Sequence, residues 1–82
     1  MPTPRKPSSI KEIFGLCVRL ERVRQGMSQE QLGQLIGRDQ AYVSQVESAK
    51  RTATLESVGR IAEALRVRPA DLLDENLGRP SP

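Results

Sequence analysis

Histidine and tryptophan are absent from the 82 residues, cysteine occurs once, at Cys17, and the aromatic residues are Phe14 and Tyr42 alone. Without histidine no Ser-His-Asp triad can be assembled, and with a single thiol neither can a zinc cluster. No metal or cofactor is therefore expected, and with no convergent acid–base set no enzyme is expected either. One cysteine cannot form an intramolecular disulfide, which fits a reducing, cytoplasmic compartment. No apolar run approaches the ~20 residues of a membrane span. Residues 1–7 lack the apolar stretch of a signal peptide, so no membrane partner is expected. With so few aromatics the core must be aliphatic, which suits packed helices.

The chain has residues enough for one domain. A domain of this size buries only about 60 % of the surface its unfolded chain exposes, and dimerisation would offset that marginality. Hydrophobic residues make up 37 % and charged residues 28 %. The charges are of both signs, which argues for a folded chain. The formal net charge is +3, which permits nucleic acid as a partner without proving it.

Three prolines and two basic residues predict a flexible arm over residues 1–8, with Arg5 and Lys6 either reaching DNA or merely solvated. Residues 78–82 predict a disordered tail, leaving an ordered domain over 9–77. Within it five helix signals follow one another, with no strand signal. The first starts at Ser9 with Glu12 three residues on, the spacing of a capping box. It carries Ile13, Phe14, Cys17 and Leu20 at helical spacing and stops at Gly26. There Cys17 has the place of a small buried hydrophobe rather than a redox sensor. The second starts at Ser28 with Gln31, carries Leu32, Leu35 and Ile36, and stops at Gly37. The third starts at Asp39, a good acceptor for the first-turn N–H groups. Its apolar positions are Val43 and Val46, and Gln40, Ser44 and Gln45 form its polar face. After the loop over 48–53, Thr54 caps a fourth helix with the stripe Leu55, Val58, Ile61, Ala62 and Leu65. Pro69 opens a fifth, with Asp71 in its first turn and Leu72, Leu73 and Leu77 as its apolar residues.

The short link around Gly37 between the second and third helices is the signature of a helix-turn-helix, whose second helix enters the major groove of DNA. The run Gly26-Met27-Ser28-Gln29-Glu30-Gln31-Leu32, then Gly37, then Tyr42-Val43-Ser44-Gln45-Val46-Glu47, then residues 55–65, resembles the xenobiotic-response-element (XRE) family of helix-turn-helix domains. That family includes the lambdoid phage repressors, the Cro proteins and the controllers of restriction–modification systems. The likeness spans roughly residues 14–74. It implies an all-α, five-helix, lambda-repressor-like domain that binds double-stranded DNA as a homodimer on a near-palindromic operator and regulates transcription.

The resemblance also implies residue roles. Gln29 matches a glutamine that contacts a phosphate, and Gln40 one that grips adenine; in some family members the two also hydrogen-bond each other, which would fix the rotamer of Gln40. The Gln40 amide has the donor and acceptor that adenine N6 and N7 require. Ala41, Ser44 and Gln45 align with the other base-facing positions, the polar pair otherwise being a plain solvated face. Lys50 and Arg51 follow where backbone-contacting side chains stand, or form a solvated basic loop. Tyr42 is open between phosphate ligand and packing residue. Arg22 and Glu47 match a partly buried ion pair that orients the recognition helix. Leu72, Leu73 and Leu77 are the candidate dimer surface. Five positions depart from the pattern, among them Ala53, which replaces a common proline before the fourth helix. Arg38 stands at an apolar position, with a phosphate as its candidate partner. Gly33 replaces alanine, loosening the second helix by up to about 1 kcal/mol. Arg66 replaces a helix-ending glycine, so either it is forced into the left-handed region or the turn there differs. Arg68 replaces the usual cap of the fifth helix. Two rival functions stand beside the main one, an antitoxin that represses its own operon and binds a toxin, and a protein-interaction module without DNA binding. An activating controller would need a surface for RNA polymerase, which the sequence does not identify.

Overall fold

Four side-chain oxygens start four helices. Ser9 Oγ accepts the N–H of Glu12 at 3.2 Å and opens α1, Ile10–Arg24. Ser28 Oγ accepts the N–H of Gln31 at 3.0 Å while Gln31 Oε1 accepts that of Ser28 at 2.8 Å, a reciprocal box opening α2, Gln29–Leu35. Asp39 Oδ1 accepts the N–H of Tyr42 at 3.0 Å and opens α3, Gln40–Glu47. Thr54 Oγ1 accepts the N–H of Ser57 at 3.1 Å and opens α4, Leu55–Leu65. Each such cap is worth about 1 kcal/mol. This computed structural model describes residues 9–76, so the expected arm over 1–8, Leu77 and the tail over 78–82 lie outside the described residues.

The helix ends share a second device. One residue at each end takes a positive φ: Gly26 (69°), Gly37 (75°), Ala49 (62°) and Arg66 (60°). The next N–H then returns five residues, Met27 to the Arg22 carbonyl (3.0 Å), Arg38 to Gly33 (2.7 Å), Lys50 to Gln45 (2.8 Å) and Val67 to Ala62 (3.0 Å). These bonds satisfy carbonyls that the helix itself leaves unpaired. Two of the four positions are glycine, which adopts that φ freely, whereas Ala49 and Arg66 hold it under strain.

The fifth helix is corrected to a single 3-10 turn, Pro69–Leu72. Its start is orderly, since Asp71 Oδ2 accepts the N–H of Arg68 at 3.0 Å. Its continuation fails because Asp74 Oδ1 accepts the N–H of Asn76 at 2.8 Å. That short side-chain loop competes with helical pairing. Among the described residues there are four α-helices, this turn and no strand.

The core is aliphatic, built from Cys17 and Val18 with Phe14 on α1, Leu32 and Ile36 on α2, Val43 and Val46 with Tyr42 on α3, the α4 stripe from Val58 to Leu65, and Leu72. Three leucines expected inside lie outside, Leu20, Leu35 and Leu55, the last 87 % exposed. Leu55 is the first residue of α4, ahead of the turn that meets the core. On α1 the inward place expected for Leu20 belongs to Val18, which is fully buried.

α3 packs against both α1 and α2. Both crossings are made at glycine. A Cβ on Gly15 of α1 would stand 2.5 Å from the carbonyl oxygen of Val46 and 2.8 Å from that of Glu47. A Cβ on Gly33 of α2 would stand 2.7 Å from the carbonyl carbon of Asp39. The start of α3 is thus seated on Gly33 and its end on Gly15, both at distances only a hydrogen side chain allows. Gly33 is not the loose point of α2 that propensity suggested but the contact that sets where α3 begins.

Candidate nucleic-acid interface

α3 divides into two faces. Tyr42, Val43 and Val46 are buried, while Gln40, Ala41, Ser44 and Gln45 are exposed together on the opposite side. At 100° per residue those four span one continuous arc, since 44 and 45 stand one turn above 40 and 41. The arc carries amide and hydroxyl groups and no charge. Such a face supplies donors and acceptors at the edge of a helix thin enough for the DNA major groove.

Behind the arc runs a chain of four hydrogen-bonded side chains. Arg22 Nε and Nη2 donate to Glu47 Oε2 and Oε1 at 2.7 and 3.0 Å, a bidentate pair whose side chains are 11 % and 4 % exposed. Arg22 Nη1 donates to the Met27 carbonyl at 2.7 Å. Gln29 Nε2 donates to Glu47 Oε1 at 3.0 Å, and Gln40 Nε2 donates to Gln29 Oε1 at 3.3 Å. Charges this buried are tolerable only when their donors and acceptors are so fully met. The acceptor-only carboxylate dictates the orientation of Gln29, and Gln29 in turn dictates that of Gln40. Gln40 keeps its own oxygen and one amide hydrogen free.

Tyr42 is only 4 % exposed, so its ring is a packing residue of the core. Over the ring lie two cations, the Arg38 guanidinium 4.0 Å and that of Arg51 5.2 Å from the centroid. Both are within cation–π range. Arg38, Asp39, Ala41, Tyr42, Gln45 and Arg51 line a shallow depression beside the start of α3. The Asp39 carboxylate is engaged with the Tyr42 N–H. Its charge remains, but the two exposed arginines outnumber it, so the depression is net positive. Arg51 Nε also donates to Gln45 Oε1 at 2.9 Å. Lys50 is exposed beside it.

Of the leucines expected at a dimer surface, Leu72 is 1 % exposed and belongs to the core of the single chain. It has no surface to give to a partner. Leu73 is exposed, and Leu77 lies outside the described residues. Gly15 was passed over in the sequence. A glycine inside an otherwise regular helix was the available signal for a close crossing.

A family model described as helix-turn-helix matches residues 18–72. This chain belongs to the helix-turn-helix family. Within it the XRE type, with the restriction–modification controllers, is the group it joins. It is 37 % identical over 68 residues to the control protein C.BamHI of Bacillus amyloliquefaciens, covering 82 % of this chain and 84 % of that protein. The crystal structure of the controller C.AhdI from Aeromonas hydrophila superposes with a TM-score of 0.73 at 37 % identity, over 76 % of this chain and 94 % of that one. The P22 c2 repressor, solved in complex with a synthetic operator, superposes with a TM-score of 0.70 at 26 % identity, over 76 % and 94 %. This member of the family is a DNA-binding transcriptional regulator. No described helix is long and apolar enough to cross a membrane.

Proposed function

We propose that this regulator acts in the cytoplasm as a homodimer on a near-palindromic operator, with α3 in the major groove. The observation that carries the reading is the bond from Gln40 to Gln29, which orients an exposed amide at the first residue of α3. Gln40, Ala41, Ser44 and Gln45 read base edges. Gln40 offers one donor and one acceptor, the pair that adenine matches, and Ala41 offers a methyl to thymine. Gln29, Lys50 and Arg51 contact phosphates, and the exposed Arg38 beside Tyr42 joins them. Phosphate contacts hold the register without carrying sequence information. A dimer contact at the 3-10 turn is supported by the exposure of Leu73. Two copies of α3 would then stand about 34 Å apart, one helical turn of DNA.

The test is selection from fragmented genomic DNA with purified protein, then footprinting at two salt concentrations with Gln40→Ala alongside. A symmetric site whose preference relaxes at one base pair per half-site in Gln40→Ala, with affinity falling as salt rises, supports the reading. Equal weak binding to every sequence would sink it.

A further inference from the structure

The two glutamines of the exposed arc are held in opposite ways. Gln40 gives an amide hydrogen to Gln29 Oε1, so its oxygen is left for a base. Gln45 gives its oxygen to Arg51 Nε at 2.9 Å. That assignment is forced, because an arginine has donors only and nothing but the amide oxygen can accept from it. The Arg51 guanidinium is itself placed by the Tyr42 ring, 5.2 Å away, and Tyr42 is anchored in the core. The lock on Gln45 therefore begins in the interior, passes through the ring to Arg51, and ends on the amide.

We infer that Arg51 is a specificity-determining residue which turns Gln45 into a donor-only reader, directing it to guanine. The inference rests on the reading of α3 as the base-reading helix and deepens it. A glutamine recognises adenine with oxygen and nitrogen aimed together at one edge. Gln45 cannot present that edge while its oxygen faces Arg51. What it presents is the amide NH2. Guanine carries two major-groove acceptors, N7 and O6, and no donor beside them. A base edge of acceptors is the complement of an amide reduced to its donors. The two glutamines, identical in composition, thus read different bases because their neighbours hold opposite ends of the amide.

The experiment is binding-site selection with the full chain in four forms: the parent, Gln45→Ala, Arg51→Met and the double variant. Gln45 and Arg51 are both exposed, and thermal melts confirm that each form is folded. Gln45→Ala identifies the base pair that Gln45 reads. At that pair the parent is expected to prefer G·C. Arg51→Met frees the amide oxygen and is expected to shift the preference toward A·T by roughly tenfold. The double variant shows no preference there. Loss of a phosphate contact alone would weaken Arg51→Met on all sequences alike and leave that pair unchanged, and this result would overturn the inference. So would an A·T preference in the parent, or a Gln45→Ala selection that matches the parent at every position. If the parent selects no site at all, it is the reading of α3 that fails, and the inference falls with it.

Discussion

Replacing Gly33 with alanine should lower stability, although helix propensity alone says it should raise it. The propensity gain for Gly→Ala inside a helix is up to about 1 kcal/mol. Against it stands the new Cβ, 2.7 Å from the Asp39 carbonyl carbon and 2.8 Å from its oxygen. Carbon atoms rest about 3.5–4.0 Å apart, so the start of α3 must retreat by nearly an ångström. The obstacle is backbone, with no rotamer to swing away. That backbone is also tied down, since the Arg38 N–H bonds to the Gly33 carbonyl at 2.7 Å. Overpacking of this kind typically costs about 1–3 kcal/mol. With the full propensity gain subtracted, the net loss is then up to about 2 kcal/mol. In a domain of this size each kcal/mol moves the melting temperature by roughly 4–8 °C. Two other helical glycines complete the test. Gly15→Ala meets two carbonyl oxygens at 2.5 and 2.8 Å and should lose at least as much. Gly59 of α4 has nothing within 4 Å of a Cβ, and Gly59→Ala should gain up to about 1 kcal/mol. Thermal and urea unfolding of the three variants read the outcome. A melting temperature in Gly33→Ala equal to or above the parent's would refute the close-crossing argument. So would three variants that all move the same way.

Glu47→Ala strands the Arg22 guanidinium in a nearly buried position and should cost about 3–5 kcal/mol. Pairing it with Arg22→Met should recover part of that loss, and a single-variant loss below about 1 kcal/mol in urea unfolding would show the pair to be weak. Burial raises the Cys17 thiol above its ordinary value of 9.0. The folded chain therefore holds that proton more tightly than the unfolded one, and stability is flat below about pH 9 and falls above it. Melting curves from pH 7 to 10 should show a shallower alkaline decline in Cys17→Ala than in the parent, and equal slopes would remove Cys17 from the account. Leu72→Ala should destabilise the chain by about 2–5 kcal/mol as a core truncation. Leu73→Ala should leave the melting temperature of the dilute protein nearly unchanged while weakening self-association in sedimentation, and the reverse pattern would exchange the two roles.

What the sequence disclosed was chemistry that closes within a few residues. Ser9, Ser28, Asp39 and Thr54 each reach an N–H three residues on, so their spacing alone identifies four helix starts. Gly26 and Gly37 mark two ends for a similar reason, since the φ they adopt is costly for other residues. Ala49 takes the same φ without being glycine, and nothing local announces it. The rest depended on what crosses each helix in space. Periodicity could not say whether Leu55 or Val58 meets the core, because both sit on one broad stripe and only the neighbour chooses. Nor could it say that Leu72 points inward and Leu73 out, since a 3-10 turn rotates the pair relative to the helix that propensity suggested.

The same division runs through the interface. The polar arc of α3 was legible, because exposure of Gln40, Ala41, Ser44 and Gln45 follows from burial of Val43 and Val46 at helical spacing. What each amide does was legible only for Gln40, whose bond to Gln29 the family resemblance implies; the hold on Gln45 was not, because an amide's orientation belongs to its partner. Gln40 answers to Glu47 through Gln29, across a gap of eighteen residues between Gln29 and Glu47. Gln45 answers to Arg51, six residues away and outside the helix. Two variants that exchange glutamine for glutamate at these positions separate the cases. Gln45→Glu keeps an acceptor for Arg51, loses the donors that face outward and adds a negative charge to the arc. Its effect should fall on DNA binding, lowering affinity on all sequences and removing the preference at the Gln45 base pair, with little change in melting temperature. Gln29→Glu sets a second carboxylate against Glu47, where Gln29 Nε2 now donates at 3.0 Å. It replaces a hydrogen bond with repulsion between like charges, so it should lower stability and DNA affinity together. If Gln29→Glu left stability untouched while abolishing binding, the chain from Arg22 to Gln40 would be a phosphate-facing surface feature and not the support of the reading head.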